Sequence, residues 1–326
     1  MTNFFAPLIG QQQAVELLTQ AINRQRIAPA YLFMGANGIG RSLAARCFIE
    51  QFFCVDVPIE EQQQIQQRLQ LGNHPDVLWV KPTYLHQGQR LTATEAVTAG
   101  VKRKAPPIIR TEQIREISQF LSRSPLAAPR NVVVLEDAQT LAESAANALL
   151  KTLEEPGELA TLILIAPTGE SLLPTLVSRC QRIPFYRLDS VQMARVLAQT
   201  GHQEILNLSP ALLAIAQGSP GDAIAASLQL KAIPEQLLAV LTPPKSLREA
   251  LELARAIDKT LDLETQLWLV DYLQHAYWEQ FLLGKIPRSP LPHLEKVKKF
   301  LLCYAQPRLV WEVTLLQISQ LCALSG

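Results

Sequence analysis

One segment constrains the fold more than any other. Residues 31–42 read Tyr-Leu-Phe-Met-Gly-Ala-Asn-Gly-Ile-Gly-Arg-Ser. A short apolar run ends in three spaced glycines and is followed by a helix-like stretch from Leu43 to Phe53. A buried strand that turns sharply into a helix through glycines is the backbone of a phosphate loop, G-x-x-x-x-G-K-[ST]. Gly35, Gly38 and Gly40 would let backbone N–H groups approach phosphate oxygens, with Asn37 between them. The new helix would aim its positive end at the same phosphates. Ser42 stands where a Mg²⁺ ligand belongs, and Arg41 stands where lysine is expected. Arginine keeps the charge but is bulkier, planar and differently hydrated, which weighs against efficient hydrolysis. The loop either holds ATP or ADP with Mg²⁺ or has become vestigial; its residues leave both readings open.

A strand before the loop implies a sheet to receive it. Apolar runs at Val77–Val80, Val132–Leu135 and Leu162–Ala166 supply further strands. Helical patterns separate them at Gln11–Asn23 and Glu60–Gln70. Strands alternating with helices predict an α/β fold with a mainly parallel sheet covered on both faces. Thr83–Pro107 is polar and reads as a long mobile insertion. It carries Lys102, Arg103 and Lys104, which with Arg110 form a short basic cluster able to touch DNA phosphates or simply to face solvent. After Leu188 the strand patterns stop and only helical ones follow. At ~150 residues per domain, 326 residues allow two or three domains. The expected division is a core domain at 1–187, a small helical domain at 188–230 and an all-helical domain at 231–326.

Composition excludes several classes. Hydrophobic residues make up 48% and charged residues 18%, as in a packed globular chain. Thirty basic residues against 29 acidic ones give a net charge of +1, so overall charge does not drive nucleic-acid binding. No apolar run approaches the ~20 residues of a membrane span, and the N-terminus does not read as a signal peptide. Cys47, Cys54, Cys180, Cys303 and Cys322 are scattered and odd in number, which fits reduced thiols in a cytoplasmic protein. There is no C-x-x-C, and Cys47 and Cys54 alone do not make a tetrahedral site, so no zinc or other metal centre is expected.

Three further segments carry chemistry. Val132–Leu135 runs into Glu136 and Asp137, an acid pair at a strand end such as holds Mg²⁺ and activates water in ATPases. The usual order, Asp then Glu, is reversed. Residues 147–156 read Asn-Ala-Leu-Leu-Lys-Thr-Leu-Glu-Glu-Pro, and residues 172–180 read Leu-Leu-Pro-Thr-Leu-Val-Ser-Arg-Cys. Leu141, Ala145, Ala148, Leu149 and Leu153 form an apolar stripe, with Thr140–Glu143 a candidate capping box.

These two signatures, with Ile9-Gly10-Gln11 and Asn73-His74-Pro75-Asp76, resemble those of clamp-loader AAA+ subunits over roughly residues 5–225. The delta-prime type of the bacterial DNA polymerase III clamp loader fits best. The resemblance implies a P-loop AAA+ core, a helical lid and a helical collar. It implies a heteropentamer with gamma or tau motor subunits and delta, acting with the beta sliding clamp and primer-template DNA. It also implies that Arg179 reaches a neighbour's ATP as an arginine finger, with Ser178 and Cys180 positioning it. Four departures from an active motor accompany it. They are Arg41, the reversed Glu136-Asp137 pair, Ala166-Pro167-Thr168 where a polar sensor belongs, and Gly221 where motor subunits carry arginine. The function expected is a non-motor stator subunit; an ATP-hydrolysing motor subunit is the alternative.

Overall fold

The computed structural model describes residues 3–323 apart from 102–105, 209, 235, 236, 238–241, 245, 287 and 304. The chain forms two compact units, Met1–Gln192 and Met193–Gly326. The first runs α1 (Gln12–Asn23), β1 (Ala30–Met34), α2 (Arg41–Cys54), α3 (Ile59–Leu71), β2 (Val77–Val80), β3 (Tyr84–His86), β4 (Gln89–Leu91), α4 (Ala93–Thr98), α5 (Thr111–Leu121), β5 (Asn131–Leu135), α6 (Glu143–Glu154), β6 (Ala160–Ala166), α7 (Pro174–Val177) and β7 (Gln181–Pro184). Five strands pair in parallel in the order β2-β5-β6-β1-β7. Parallel neighbours need a crossover, and the intervening helices supply it. With the glycine turn leaving the end of β1, this is the P-loop AAA+ core that the sequence implied.

Side-chain alternation splits the sheet residues between two cores. Tyr31, Phe33, Val132, Val134, Ile163 and Ile165 pack with α1 and α2. Leu32, Val133, Leu135, Leu162 and Leu164 pack with α5 and α6. Every residue of β5 and β6 is buried, which explains the apolar runs Val132–Leu135 and Leu162–Ala166 within them.

Three expectations change. The described part of 83–107 is ordered chain, not loop. Gln87 and Gly88 both have positive φ, 49° and 80°, so two residues close a tight hairpin between β3 and β4. Thr83 and Ile108 exchange backbone hydrogen bonds and shut its base. Second, Arg110 is half-buried and bonded within the fold. Its Nη1 donates to the Thr83 carbonyl at 2.7 Å. Lys102, Arg103 and Lys104 lie outside the described residues. Third, the capping box at Thr140–Glu143 does not form. Ile109 N–H bonds Thr140 O and Ala142 N–H bonds Ile109 O, so this stretch is taken into a bridge and α6 begins only at Glu143. Within the expected stripe, Ala145, Leu149 and Leu153 are buried, while Leu141 and Ala148 are partly so.

Helix α5 and strand β7 are among the elements that the sequence patterns above do not predict. Helix α5 buries Ile114, Ile117 and Leu121, a three-and-four spacing that was present in the sequence. Strand β7 is four residues long and half exposed, too weak a pattern to see alone.

The second unit contains the end of α8 (Ser190–Gln199), then α9 (Ile205–Leu208), α10 (Pro210–Ala216), α11 (Pro220–Ala232), α12 (Leu247–Thr260), α13 (Leu263–Leu282), α14 (Leu291–Leu302) and α15 (Pro307–Ala323). Ser219, Ser246 and Asp262 cap α11, α12 and α13 by accepting the N–H three residues on. Met193, Leu197, Ile205, Ala216 and Ala223 form a small cluster apart from the larger one around Tyr277 and Trp311. A third cluster, Leu212, Ala226 and Tyr272, joins α10 and α11 to α13 within the same unit. Trp311, fully buried, satisfies its indole N–H on Gln266 Oε1 at 2.9 Å. Among the described residues no helix is long and apolar enough to cross a membrane.

The Asn73–Asp76 segment has a structural task. Asp76 is buried, and its carboxylate accepts the N–H groups of Leu126, Ala127 and Ala128, each at 2.7 Å. His74 packs on Phe53 and accepts the Asp76 N–H on Nδ1. Burial lowers the imidazole pKa, so the ring is neutral at pH 7. Removing the carboxylate strands three amides; charge-assisted bonds are worth ~1.5–3 kcal/mol each and are not additive. Asp76→Ala is expected to destabilise the first unit by ~2–4 kcal/mol, measured by urea unfolding followed at Trp79. No change in midpoint would show that the loop is held by other means.

Candidate functional site

The glycine turn has the backbone its motif requires. Gly38 and Gly40 have φ of 69° and 102°, and Gly40 is the residue from which α2 starts. At Gly35 a Cβ would lie 2.6 Å from the carbonyl oxygen of Phe185, so no side chain fits. Gln11 clamps the turn from outside. It is buried, donates from Nε2 to Ile39 O at 3.3 Å and Tyr186 O at 2.7 Å, and accepts the Tyr186 N–H on Oε1 at 2.9 Å. The sequence marked Gln11 only as part of a signature. A polar residue just ahead of an apolar helix was the available signal.

Arg41 behaves differently from a phosphate-loop lysine. It is the first residue of α2 and only 6% exposed. Its Nη2 donates to Asn37 Oδ1 at 2.6 Å, so the guanidinium folds back across the turn. The acid pair is also engaged internally. Glu136 Oε2 lies 3.2 Å from Lys81 Nζ. Asp137 sits in the left-handed region, φ 50°, and its carbonyl accepts the Thr140 N–H and hydroxyl. Its carboxylate accepts Gln139 Nε2 at 3.3 Å. At the end of β6, Ala166 is buried and Thr168 bonds the side chain of Glu170. Ser42 is the second residue of α2 and is partly buried. The turn therefore fits an anion, but the groups that would hold Mg²⁺ and activate water are turned to protein partners. No hydrolytic step follows from them.

Arg179 lies just beyond α7, where Pro174 at the first helical position starts the short helix. Its Nη1 donates to Thr175 O at 3.0 Å and its Nη2 to Glu154 Oε1 at 2.8 Å. Both side chains are open to solvent, 38% and 51% exposed. Ser178 Oγ donates to Thr175 O at 3.1 Å and so tightens the same turn. The Cys180 thiol packs against the α5–α6 core, and burial pushes its pKa up to about 11. The two signatures thus meet: the last residue of α6 holds the arginine that follows α7. Glu154 carried no assigned role in the sequence, because nothing local links residues 154 and 179.

The segments that hold these residues lie within a region matched by a known family. The family model described as DNA polymerase III, delta subunit, matches residues 10–189. The chain belongs to this DNA polymerase III family. Residues 191–318 match a second model, the cyanobacterial DNA polymerase III delta prime C-terminal domain. The delta-prime subunit of Bacillus subtilis is 30% identical over 203 residues, covering 58% of this chain and 55% of that protein. The delta-prime subunit of Pseudomonas aeruginosa is 31% identical over 218 residues, 66% of this chain and 60% of that protein. The tau/gamma subunit of Haemophilus influenzae is 27% identical over 222 residues, 67% of this chain and 29% of that protein. The chain thus spans little more than half the length of its delta-prime relatives. Membership of the delta-prime type is the recognition that the two signatures carried.

A thiol with a pKa near 11 is almost wholly protonated at pH 8, so Cys180 is not a nucleophile there. Alkylation by iodoacetamide, read by peptide mass spectrometry, is expected to modify exposed Cys303 at pH 8 and to leave Cys180 largely unmodified. Equal labelling would refute the buried-thiol assignment.

Proposed function

We propose that the chain is a non-motor, stator subunit of the DNA polymerase III clamp loader. In this reading it assembles with gamma or tau motor subunits and delta in a heteropentamer in the cytoplasm. There it helps ATP-driven loading of the beta sliding clamp onto primer-template DNA, and it lends Arg179 to the ATP of a neighbouring subunit. One contrast carries the reading. Arg41 is folded into the chain's own glycine turn, whereas Arg179 stands on the surface. An exposed ion pair of the Arg179–Glu154 kind is worth ~0–1 kcal/mol, too little to withhold the guanidinium from a triphosphate. An arginine brought in trans meets charge on the transferring phosphoryl group and can be worth ~10³–10⁵ in rate. Ser178 and Cys180 hold the turn that presents it.

Residues 231–326 act as the collar in this reading. Trp278, Leu282, Leu283 and Phe300 leave apolar surface exposed, as an interface between subunits requires. The surviving glycine frame and Ser42 support the alternative, a motor subunit that hydrolyses ATP itself.

In the reconstituted loader, Arg179→Ala is expected to lower ATP turnover by at least a hundredfold at the site it serves, with assembly by gel filtration unchanged. Unchanged turnover would remove the finger role. The isolated chain is expected to show no ATPase. Turnover near ~1 s⁻¹ from the chain alone, the low end of ordinary enzymes, would favour the motor reading.

A further inference from the structure

Glu154 occupies an unfavourable place for a carboxylate. It is the last residue of α6, where unpaired carbonyls make the helix end negative. Its position does not serve the helix. Instead Oε1 accepts Nη2 of Arg179 at 2.8 Å, while Nη1 of the same guanidinium is held by Thr175 O at 3.0 Å. Both terminal nitrogens therefore bond within the chain, which fixes the plane of the guanidinium. A terminal phosphate is best met by two parallel N–H groups of one guanidinium. While Glu154 and Thr175 hold it, the planar guanidinium keeps this edge against its own subunit and must turn to align two N–H groups with a neighbour's nucleotide.

We infer that Glu154 is a parking carboxylate for Arg179: it holds the guanidinium against its own subunit until a neighbour's triphosphate displaces it. The inference rests on the reading of Arg179 as a finger in trans. The exchange is between two anions for one cation. The carboxylate carries a single charge and is half exposed, so solvent screens the pair. A terminal phosphate with more charge and three acceptor oxygens outcompetes it at the same distance. When the phosphate leaves, the carboxylate recaptures the arginine. Glu154 touches neither nucleotide nor reacting atoms, so it is a positioning residue. Its side chain sets how much of the time Arg179 is free, and hence how readily the neighbouring site closes on ATP.

The test compares Glu154→Gln, Glu154→Asp, Arg179→Ala and the double variant Glu154→Gln/Arg179→Ala in the reconstituted loader. ATP turnover is measured over a range of ATP concentrations, with and without clamp and primed DNA. Glutamine keeps the shape but drops the charge. Glu154→Gln is expected to lower KM for ATP about two- to fivefold and to raise turnover in the absence of clamp and DNA. The stimulated kcat should stay within about twofold, because the occupied state lacks the pair. Glu154→Asp should behave as the parent does. The double variant should match Arg179→Ala, because the carboxylate acts only through the arginine. Thermal unfolding of the isolated chain should barely move, as expected for a surface pair. If Arg179→Ala lowers turnover while Glu154→Gln leaves KM and basal turnover unchanged, parking is wrong and the finger stands. A fall in basal turnover with Glu154→Gln would equally overturn parking, since it would mean that the carboxylate aims the arginine productively. If Arg179→Ala changes nothing, the finger reading fails and the inference with it.

Discussion

The first unit depends on parallel pairing along β6. That strand is buried over its whole length and sits between β1 and β5. Parallel alignment brings the ends of all three strands to one edge of the sheet. The glycine turn after Met34, the acids after Leu135 and the Ala166–Thr168 end therefore share a neighbourhood by register alone. The Gly35 N–H even reaches Ala166 O, at 3.4 Å. A strand slip of one residue would exchange the two faces and dissolve both cores, so the edge is held by every apolar contact above and below it.

At that edge the chemistry is turned inward. Arg41 bonds Asn37, Glu136 pairs with Lys81, and Asp137 holds its own turn. Each contact is ordinary; together they leave a glycine frame whose charged groups serve the fold. The α6–α7 region is different. Pro156 ends α6, Pro174 starts α7, and the two ends lie close enough for Glu154 to hold Arg179 on open surface. A guanidinium on a short, braced turn can be offered outward with little loss of order, since Ser178 already tightens the turn.

The sheet was legible wherever its strands were buried on both faces. Val132–Leu135 and Leu162–Ala166 announced themselves as apolar runs and extend by only one or two residues more in the structure. Legibility failed where partners came from far away. Thr140–Glu143 had the residues of a capping box, but Ile109 took its backbone. Residues 83–107 looked like loop because the hairpin's positive-φ turn, Gln87-Gly88, lies among polar residues with no apolar alternation to flank it. Strand β7 exists because β1 offers it an edge, not because its own sequence prefers to be extended.

The sequence by itself determined the strands β1, β2, β5 and β6, the glycine turn, the acids behind it and the two signatures that mark the family. These are local patterns, readable because glycine, proline and apolar periodicity act over a few residues. Only the tertiary structure decided that Gln11 clamps Tyr186, 175 positions away, and that Arg179 bonds Glu154, 25 positions away. Such pairings depend on strand register and helix ends in three dimensions. A charged side chain accepts whichever partner the packed core brings within 3 Å, and no local rule names that partner in advance.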